Sequence, residues 1–266
     1  MHTYQDQMGH IIHLKTPPLR VVSLVPSQSE LLWDLGLRQE LVGITKFCIH
    51  PEEMFRTVTR VGGTKQLHLK KIRDLKPDLI IGNKEENEQE QILELQREFP
   101  VWMSDIHTLE EAGDMMTRLG DLLGRQQQAA DLVMRLHAST ERVRGLFGGQ
   151  RTLYFIWNKP YMVAAGQTFI GHVLNHLGLR NAAAHLDRYP EMDLQTLRET
   201  APELCLLSSE PFPFREQHVK ALQEQLPGCR VEIVDGEVFS WYGSRLLHLE
   251  AYARELKQRL STSFPD

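Results

Sequence analysis

Apolar residues recur along this chain in two rhythms: short dense runs, and longer stripes at three- and four-residue spacing. Arg20-Val21-Val22-Ser23-Leu24-Val25 is the first dense run and predicts a buried strand stopped by Pro26. Ser27 is positioned to cap a helix reaching about Leu35, with Glu30 as its capping-box partner and Gly36 as its stop. Leu41-Val42-Gly43-Ile44 predicts a second strand. A helix carrying Leu69, Ile72 and Leu75 follows and ends before Lys76-Pro77. Asp78-Leu79-Ile80-Ile81 and Phe99-Pro100-Val101-Trp102-Met103 predict two more strands. Between them, Asn83-Lys84-Glu85-Glu86-Asn87 opens a helix through Ile92, Leu93 and Leu95.

The rhythm then changes. Leu109, Ala112, Met115, Met116, Leu119, Leu122 and Leu123 make one helical stripe. After Gly124 it continues through Ala129, Leu132, Val133, Leu136 and Val143. This predicts one broken helical region or two consecutive helices, with no strand. Alternation resumes at Arg151–Trp157, followed by a helix over 168–177, strands at 204–207 and 231–234, and a closing helix over 246–260. Strand–loop–helix repetition on both sides of a helical stretch predicts mostly parallel sheets covered by helices. The expected division is an N-terminal α/β lobe over 1–107, a helical region over 108–147 and a C-terminal α/β lobe over 148–266.

Composition narrows the function classes. With 41% hydrophobic and 24% charged residues, the 266-residue chain reads as globular, and it is long enough to bury its core without metals or disulfides. A net charge of -5 gives no general reason to bind nucleic acid. No run approaches the roughly 20 apolar residues of a transmembrane helix. Residues 1–15 lack the apolar core of a secretion signal, and Cys48, Cys205 and Cys229 are odd in number and widely spaced. Both features lead to the expectation of cytoplasmic residence with reduced thiols, and of periplasmic residence if a native signal was omitted.

Ligands of α/β sheets bind beyond the carboxyl ends of the strands. Those loops carry Gln28, Phe47, Thr64, Lys65 and Asn83 in the first half. In the second half they carry Trp157, Tyr161, Tyr189, Phe212, Phe214, Arg215, Trp241, Tyr242 and Arg245. Aromatic faces beside a guanidinium fork suit a large planar or amphipathic ligand with carboxylate or amide substituents. The alternative is that these aromatics close a core or a domain junction and that Arg245 only pairs with an acidic residue. Gly62-Gly63-Thr64-Lys65 lacks the longer glycine loop of a phosphate site and reads as a tight turn. Cys48-Ile49-His50 and the pair His172/His176 lack third and fourth ligands, so they read as a loop thiol and surface histidines. No nucleophile elbow or zinc helix is present, and Glu85 and Glu86 read as helix-start charges. No residue is assigned a catalytic role, which predicts a binding protein; an unrecognised enzyme is the rival.

Several segments together resemble the helical-backbone substrate-binding proteins of ABC importers, especially their cobalamin-binding branch. They are Arg20-Val-Val-Ser-Leu-Val-Pro-Ser-Gln-Ser-Glu-Leu31, Leu41-Val-Gly-Ile44 with Pro51, and Leu75-Lys-Pro-Asp-Leu-Ile-Ile81. Gly166-Gln-Thr-Phe-Ile-Gly171, Gly178, Tyr189-Pro190 and Val234-Asp-Gly-Glu-Val-Phe239 leading to Arg245 continue the match. The resemblance implies a class III periplasmic-binding-protein-like fold. Two Rossmann-like α/β lobes would be joined by one long backbone helix between Arg125 and Phe147, with ligand bound between them. It further implies non-catalytic binding of a corrinoid, haem, iron chelate or metal ion, with no cofactor required. Phe47, Tyr189 and Arg245 fall on aromatic and arginine cleft positions, whereas Thr64 stands where that branch carries a tryptophan. The partner implied is an ABC permease, whose arginines engage one acidic residue per lobe. Those positions are Lys70 and Gln195 here, which weakens that docking and keeps open a cytoplasmic ligand-binding or regulatory role.

Overall fold

In the computed structural model, residues 1–261 are described. They divide into two compact units. One comprises Met1–Ile106, Glu110–Leu136 and Tyr242–Arg245; the other comprises His107–Leu109, His137–Trp241 and the chain from Leu246 onward.

The first unit opens with an antiparallel hairpin, β1 (His2–Gln5) and β2 (Ile11–Leu14). The buried Asp6 carboxylate at its turn accepts from the backbone N–H of Met8 and His10 at 2.9 and 2.7 Å, and from Met103 at 3.1 Å. This fastens the hairpin to the rest of the unit. The chain then alternates through β3 (Val21–Ser23), α1 (Pro26–Asp34), β4 (Leu41–Ile44), α2 (Glu52–Thr57) and β5 (Thr59–Arg60). It continues through α3 (Leu69–Asp74), β6 (Leu79–Asn83), α4 (Gln89–Gln96) and β7 (Val101–Ser104). The strands form a parallel sheet in the order β5-β4-β3-β6-β7. From β3 the chain winds outward on one side, then restarts at β6 on the other. The gap between β3 and β6 is therefore the topological switch point, where such sheets open a crevice at their carboxyl ends. Val22, Leu24, Ile80, Val101 and Met103 supply the core beneath it.

Two consecutive helices follow, α5 (Leu109–Leu122) and α6 (Gln126–Glu141), broken at Gly124, which takes a φ of 66°. The chain passes from the first unit to the second within α6. The expected long helix is thus the shorter α6, and the chain turns before reaching Phe147.

The second unit continues with β8 (Arg151–Trp157), β9 (Tyr161–Val163), α7 (Phe169–His176), β10 (Arg180–Asn181) and β11 (Glu191–Met192). Next come α8 (Leu194–Glu199), β12 (Leu204–Ser208), α9 (Glu216–Gln225), β13 (Arg230–Val234) and α10 (Gly236–Ser240). A 3-10 turn over Ser244–His248 leads into α11 (Leu249–Ser261), its first two residues belonging to the first unit. Sheet order is β11-β9-β8-β12-β13, with β10 also paired to β8. β8, β10, β12 and β13 are parallel, while β9 and β11 add an antiparallel edge. Leu153, Phe155, Cys205, Leu207, Leu222 and Val231 lie in the core of this unit.

Three local expectations are corrected. Val25, not Ser27, is the N-cap of α1, because Pro26 at the first helical position presets the turn without a side-chain cap. Asn83 ends a strand instead of opening a helix; α4 starts at Gln89, so Glu85 and Glu86 lie in the connecting turn. His176 is buried, with Nε2 donating to the Thr140 carbonyl at 3.0 Å, so it is no surface histidine. His172 is half-buried beside it, the two rings stacked 6.4 Å apart.

Candidate functional site

At the carboxyl ends of the first sheet, the switch point brings together residues from three elements. Gln28 on α1 is fully buried, and its Nε2 donates to Ser104 Oγ at the end of β7 over 2.6 Å. Asn83, at the end of β6, donates from Nδ2 to the same oxygen at 2.9 Å. Its Oδ1 accepts from the Glu85 and Glu86 backbone N–H groups at 2.8 and 3.2 Å. Asn87 closes the braid, accepting from Asn83 N at 2.9 Å and donating to the Thr64 carbonyl at 3.1 Å. These amides satisfy backbone groups that the crevice would otherwise strand without water. Gln28 Oε1 has no hydrogen-bond partner among the described residues.

Around this buried braid lies an accessible rim. Phe47, in the turn after β4, is 50% exposed and lies against Gly63, where an added Cβ would come within 3.2 Å of its Cε2. The Lys46 ammonium sits 5.0 Å from the Phe47 ring centroid. Thr64 is half-buried. Lys65 is exposed, donates to the Glu85 carbonyl at 2.8 Å and pairs with Glu88 at 3.5 Å. The Cys48 thiol is held 3.1 Å from both Ser29 Oγ and Thr45 Oγ1, and burial pushes its pKa up. It is therefore a protonated packing group, not an exposed nucleophile.

The segment Tyr242–Arg245 is also part of this unit. Arg245 meets Glu30 through two charge-assisted bonds, Nη2 to Oε1 at 2.7 Å and Nε to Oε2 at 2.9 Å, with both side chains largely buried. Gly243 packs so closely that a Cβ there would lie 2.5 Å from the Ser27 carbonyl oxygen. Tyr242 is buried. The guanidinium expected to face a ligand thus spends its fork on Glu30, a partner 215 positions away in the chain.

In the second unit, the loop after β12 and the end of β8 meet in an aromatic cluster. Trp157, 40% exposed, stands edge-on to Phe212 at 5.5 Å between ring centroids. Phe212 in turn contacts Phe214 at 4.8 Å and His218 at 5.2 Å. Phe214 is buried in the core, and exposed Arg215 is the N-cap residue of α9, its backbone N–H donating to His218 Nδ1 at 2.9 Å. Tyr161, on β9, is half-buried and edge-on to Phe155, and burial raises its phenol pKa. Tyr189 is half-buried in the turn before β11, beside β9, whose Val163 N–H donates to the Pro190 carbonyl at 3.3 Å. Trp241 is buried and donates from Nε1 to Glu210 Oε1 at 2.8 Å, an oxygen that also accepts from Ser240 Oγ at 3.0 Å. Burial nevertheless holds the Glu210 carboxyl above its ordinary range, outweighing the two hydrogen bonds, with the nearby Glu237 and Asp235 carboxylates adding to the rise.

Sequence reasoning missed Glu210, Ser104 and His218. Glu210 had one available signal: it directly precedes the Pro211-Phe212-Pro213-Phe214 loop. Ser104 follows an apolar strand and acquires its role only from the amides that converge on it. Among the described residues, no group of three or more His, Cys, Asp or Glu could hold a metal ion. No helix there is long and apolar enough to cross a membrane.

Comparison with known proteins places this geometry in a family. A model described as periplasmic binding protein matches residues 21–227. A vitamin B12-binding protein of Vibrio vulnificus strain CMCP6 is 26% identical over 206 residues, 74% of each chain. The periplasmic vitamin B12 binding protein of Vibrio cholerae has a TM-score of 0.77 at 23% identity, over 92% of this chain and 99% of that one. A siderophore binding protein, solved with two molecules of acinetobactin and ferric iron, has a TM-score of 0.80 at 19% identity, over 96% and 97%. At these identities the structural matches establish the fold: two α/β lobes linked by long helices. The cytoplasmic expectation is corrected by the family, whose members are periplasmic binding proteins. That expectation leaned on residues 1–15, which form the β1–β2 hairpin and so report on the folded unit, not on export. The chain belongs to the periplasmic binding protein family, among the helical-backbone substrate-binding proteins of ABC importers.

Proposed function

We propose that this protein binds a corrinoid or metal-chelate ligand without transforming it and delivers it to an ABC permease. The observation that carries the reading is the exposure of aromatic faces at the carboxyl ends of both sheets: Phe47 on the first unit, and Trp157 on Phe212 in the second. Exposed aromatic rings on rigid strand ends provide flat contact area at low entropic cost, which suits a macrocycle or an aromatic chelate. The buried Gln28–Ser104–Asn83 braid holds the first of these ends rigid. Family membership favours transport-associated binding over catalysis, and the thiol and carboxylates described above show no nucleophile–base pairing. Thr64, Lys65, Tyr161, Arg215 and Tyr189 are secondary contacts in this reading, while Gln28, Asn83, Phe214, Trp241, Tyr242 and Arg245 act by holding the surface in place.

Permease docking would use the surfaces around Lys70 and Gln195. Lys70 is exposed and paired with Asp74 at 2.9 Å, which offsets part of its charge. Gln195 donates to Glu199 at 3.0 Å and lies with Asp193 along an open groove of about 620 Å3. Acidic character is thus retained beside both positions, available to permease arginines.

The test is a titration of the purified chain with cyanocobalamin, dicyanocobinamide, haemin and ferric chelates, followed by native mass spectrometry and product analysis. The expected result is a stoichiometric complex with one class and unchanged ligand. Absence of any complex at millimolar ligand would refute the reading, and ligand turnover would replace it with an enzymatic one.

A further inference from the structure

Cys205 and Cys229 take no part in either cluster of the candidate site. They lie in the core of the second unit, on β12 and immediately before β13, with their sulfurs 3.3 Å apart. β12 and β13 are parallel neighbours, with Cys205 opposite Val231 and Leu204 opposite Arg230. Cys229 therefore stands diagonally across the ladder from Cys205, on the same face as Val231. A disulfide has sulfurs about 2.05 Å apart, so closing this pair requires the two atoms to approach by roughly 1.2 Å. Diagonal neighbours on a ladder lie about 7–8 Å apart, at the upper end of the disulfide span, so closure takes side-chain rotation together with a small inward movement of the Pro227-Gly228 turn that carries Cys229.

We infer that Cys205 and Cys229 form an intramolecular disulfide when the protein meets a disulfide oxidant. The family is periplasmic, and that compartment sustains thiol–disulfide exchange. Cys229 is the residue that attacks first. It is itself buried but directly follows the exposed Pro227-Gly228 turn, where Gly228 takes a φ of 86°, so movement of that turn is what opens it to an oxidant. Its thiol donates to Cys205 Sγ at 3.3 Å; once Cys229 loses that proton, Cys205 donates to the thiolate instead, which pulls the Cys229 pKa below the ordinary thiol value. The same hydrogen bond, together with burial, pushes the Cys205 thiol up.

The exchange balances in two steps. Cys229 gives up its proton and attacks one sulfur of the oxidant's disulfide, breaking that bond and releasing one oxidant thiolate. Cys205 then gives up its proton and attacks Cys229 Sγ in the mixed disulfide, releasing the second. Two electrons pass from the protein thiols to the oxidant, and the two protons end on its two thiols. Cys48, held between Ser29 and Thr45, has no sulfur partner and remains a thiol.

The experiment uses the full chain, purified reduced, equilibrated with oxidised glutathione, acid-quenched, unfolded, alkylated and mapped by mass spectrometry. The expected product has lost two hydrogens, carries one alkylated thiol of its three cysteines, at Cys48, and yields a peptide cross-linking Cys205 to Cys229. C48S is expected to keep the cross-link, whereas C205S and C229S each lose it and leave Cys48 alkylated. Because C48S does not touch the pair, it retains a readout even where C205S folds poorly. Three alkylated thiols after equilibration, a glutathione adduct on Cys229 that never resolves, or a cross-link involving Cys48 would each overturn the inference.

Discussion

Replacing Arg245 by alanine removes the guanidinium from a pair whose side chains are only 14% and 11% exposed. Glu30 would then keep its charge with two hydrogen bonds lost, those now measured at 2.7 and 2.9 Å. Breaking a buried pair by deleting one partner costs about 3–5 kcal/mol, most of it the desolvation of the stranded ion. At about 2–4 °C per kcal/mol for a protein of this size, the midpoint of thermal unfolding should fall by at least ~6 °C. Glu30→Gln should fall less, since the neutral amide leaves no buried anion and its oxygen can still accept from the guanidinium. The double replacement Glu30→Gln with Arg245→Ala should recover part of the loss, because neither charge then remains. Urea unfolding of the four proteins, followed by circular dichroism, measures the coupling as a double-mutant cycle. An Arg245→Ala midpoint within about 0.5 kcal/mol of the parent, accompanied by a large loss of ligand affinity, would refute the structural role and restore Arg245 as a direct ligand contact.

Other outcomes follow from single residues. Gly243→Ala should destabilise by about 1–3 kcal/mol, since the new methyl would sit 2.5 Å from the Ser27 carbonyl oxygen and one backbone segment must move; equal urea midpoints would contradict it. Phe47→Ala should weaken binding of cobinamide or haemin roughly tenfold, about 1.4 kcal/mol, while leaving stability within about 0.5 kcal/mol, as isothermal titration and thermal unfolding would show. Glu210→Gln addresses pH. Burial raises the folded-state pKa of Glu210, so its protonation stabilises the native state at low pH, and that contribution is lost as pH rises through the folded value. The glutamine variant should therefore match or exceed the parent near neutrality and lose that advantage on acidification, a crossover visible in unfolding midpoints between pH 4 and 7.

The two-unit α/β plan was legible because it rests on local rules. Dense runs such as Val21–Val25 and Leu204–Leu207, rich in strand formers and bounded by breakers, read as buried strands, although β3 itself ends at Ser23; the stripes through Met115 and Leu132 read as helices. Their order then leaves a parallel sheet on each side of a helical stretch. The hairpin β1–β2 escaped because its strands are short and largely exposed, giving no dense run to read. Its anchor, the Asp6 carboxylate, depends on Met103, 97 positions away.

For the candidate site, residue types and loop addresses were readable, but not the direction in which each side chain spends its polar groups. Phe47 and Trp157 carry no polar obligation to the core and remain exposed, as their loop positions suggest. Gln28, at the start of α1, and Asn83, at the end of β6, turn inward instead: Asn83 accepts from two backbone N–H groups where water is excluded, and both donate to Ser104 Oγ. Arg245 sits in an aromatic-rich loop that reads as a ligand mouth, and only the return of Tyr242–Arg245 to the first unit sets it against Glu30. The pairing of Cys205 with Cys229 has the same origin, since strand register, not sequence spacing, brings their sulfurs together. Periodicity and chain punctuation determine which segments become strands and helices, because those preferences act over a few residues. Which polar groups face a ligand and which face each other was decided only in the tertiary structure, by partners too distant in sequence for any local pattern to register.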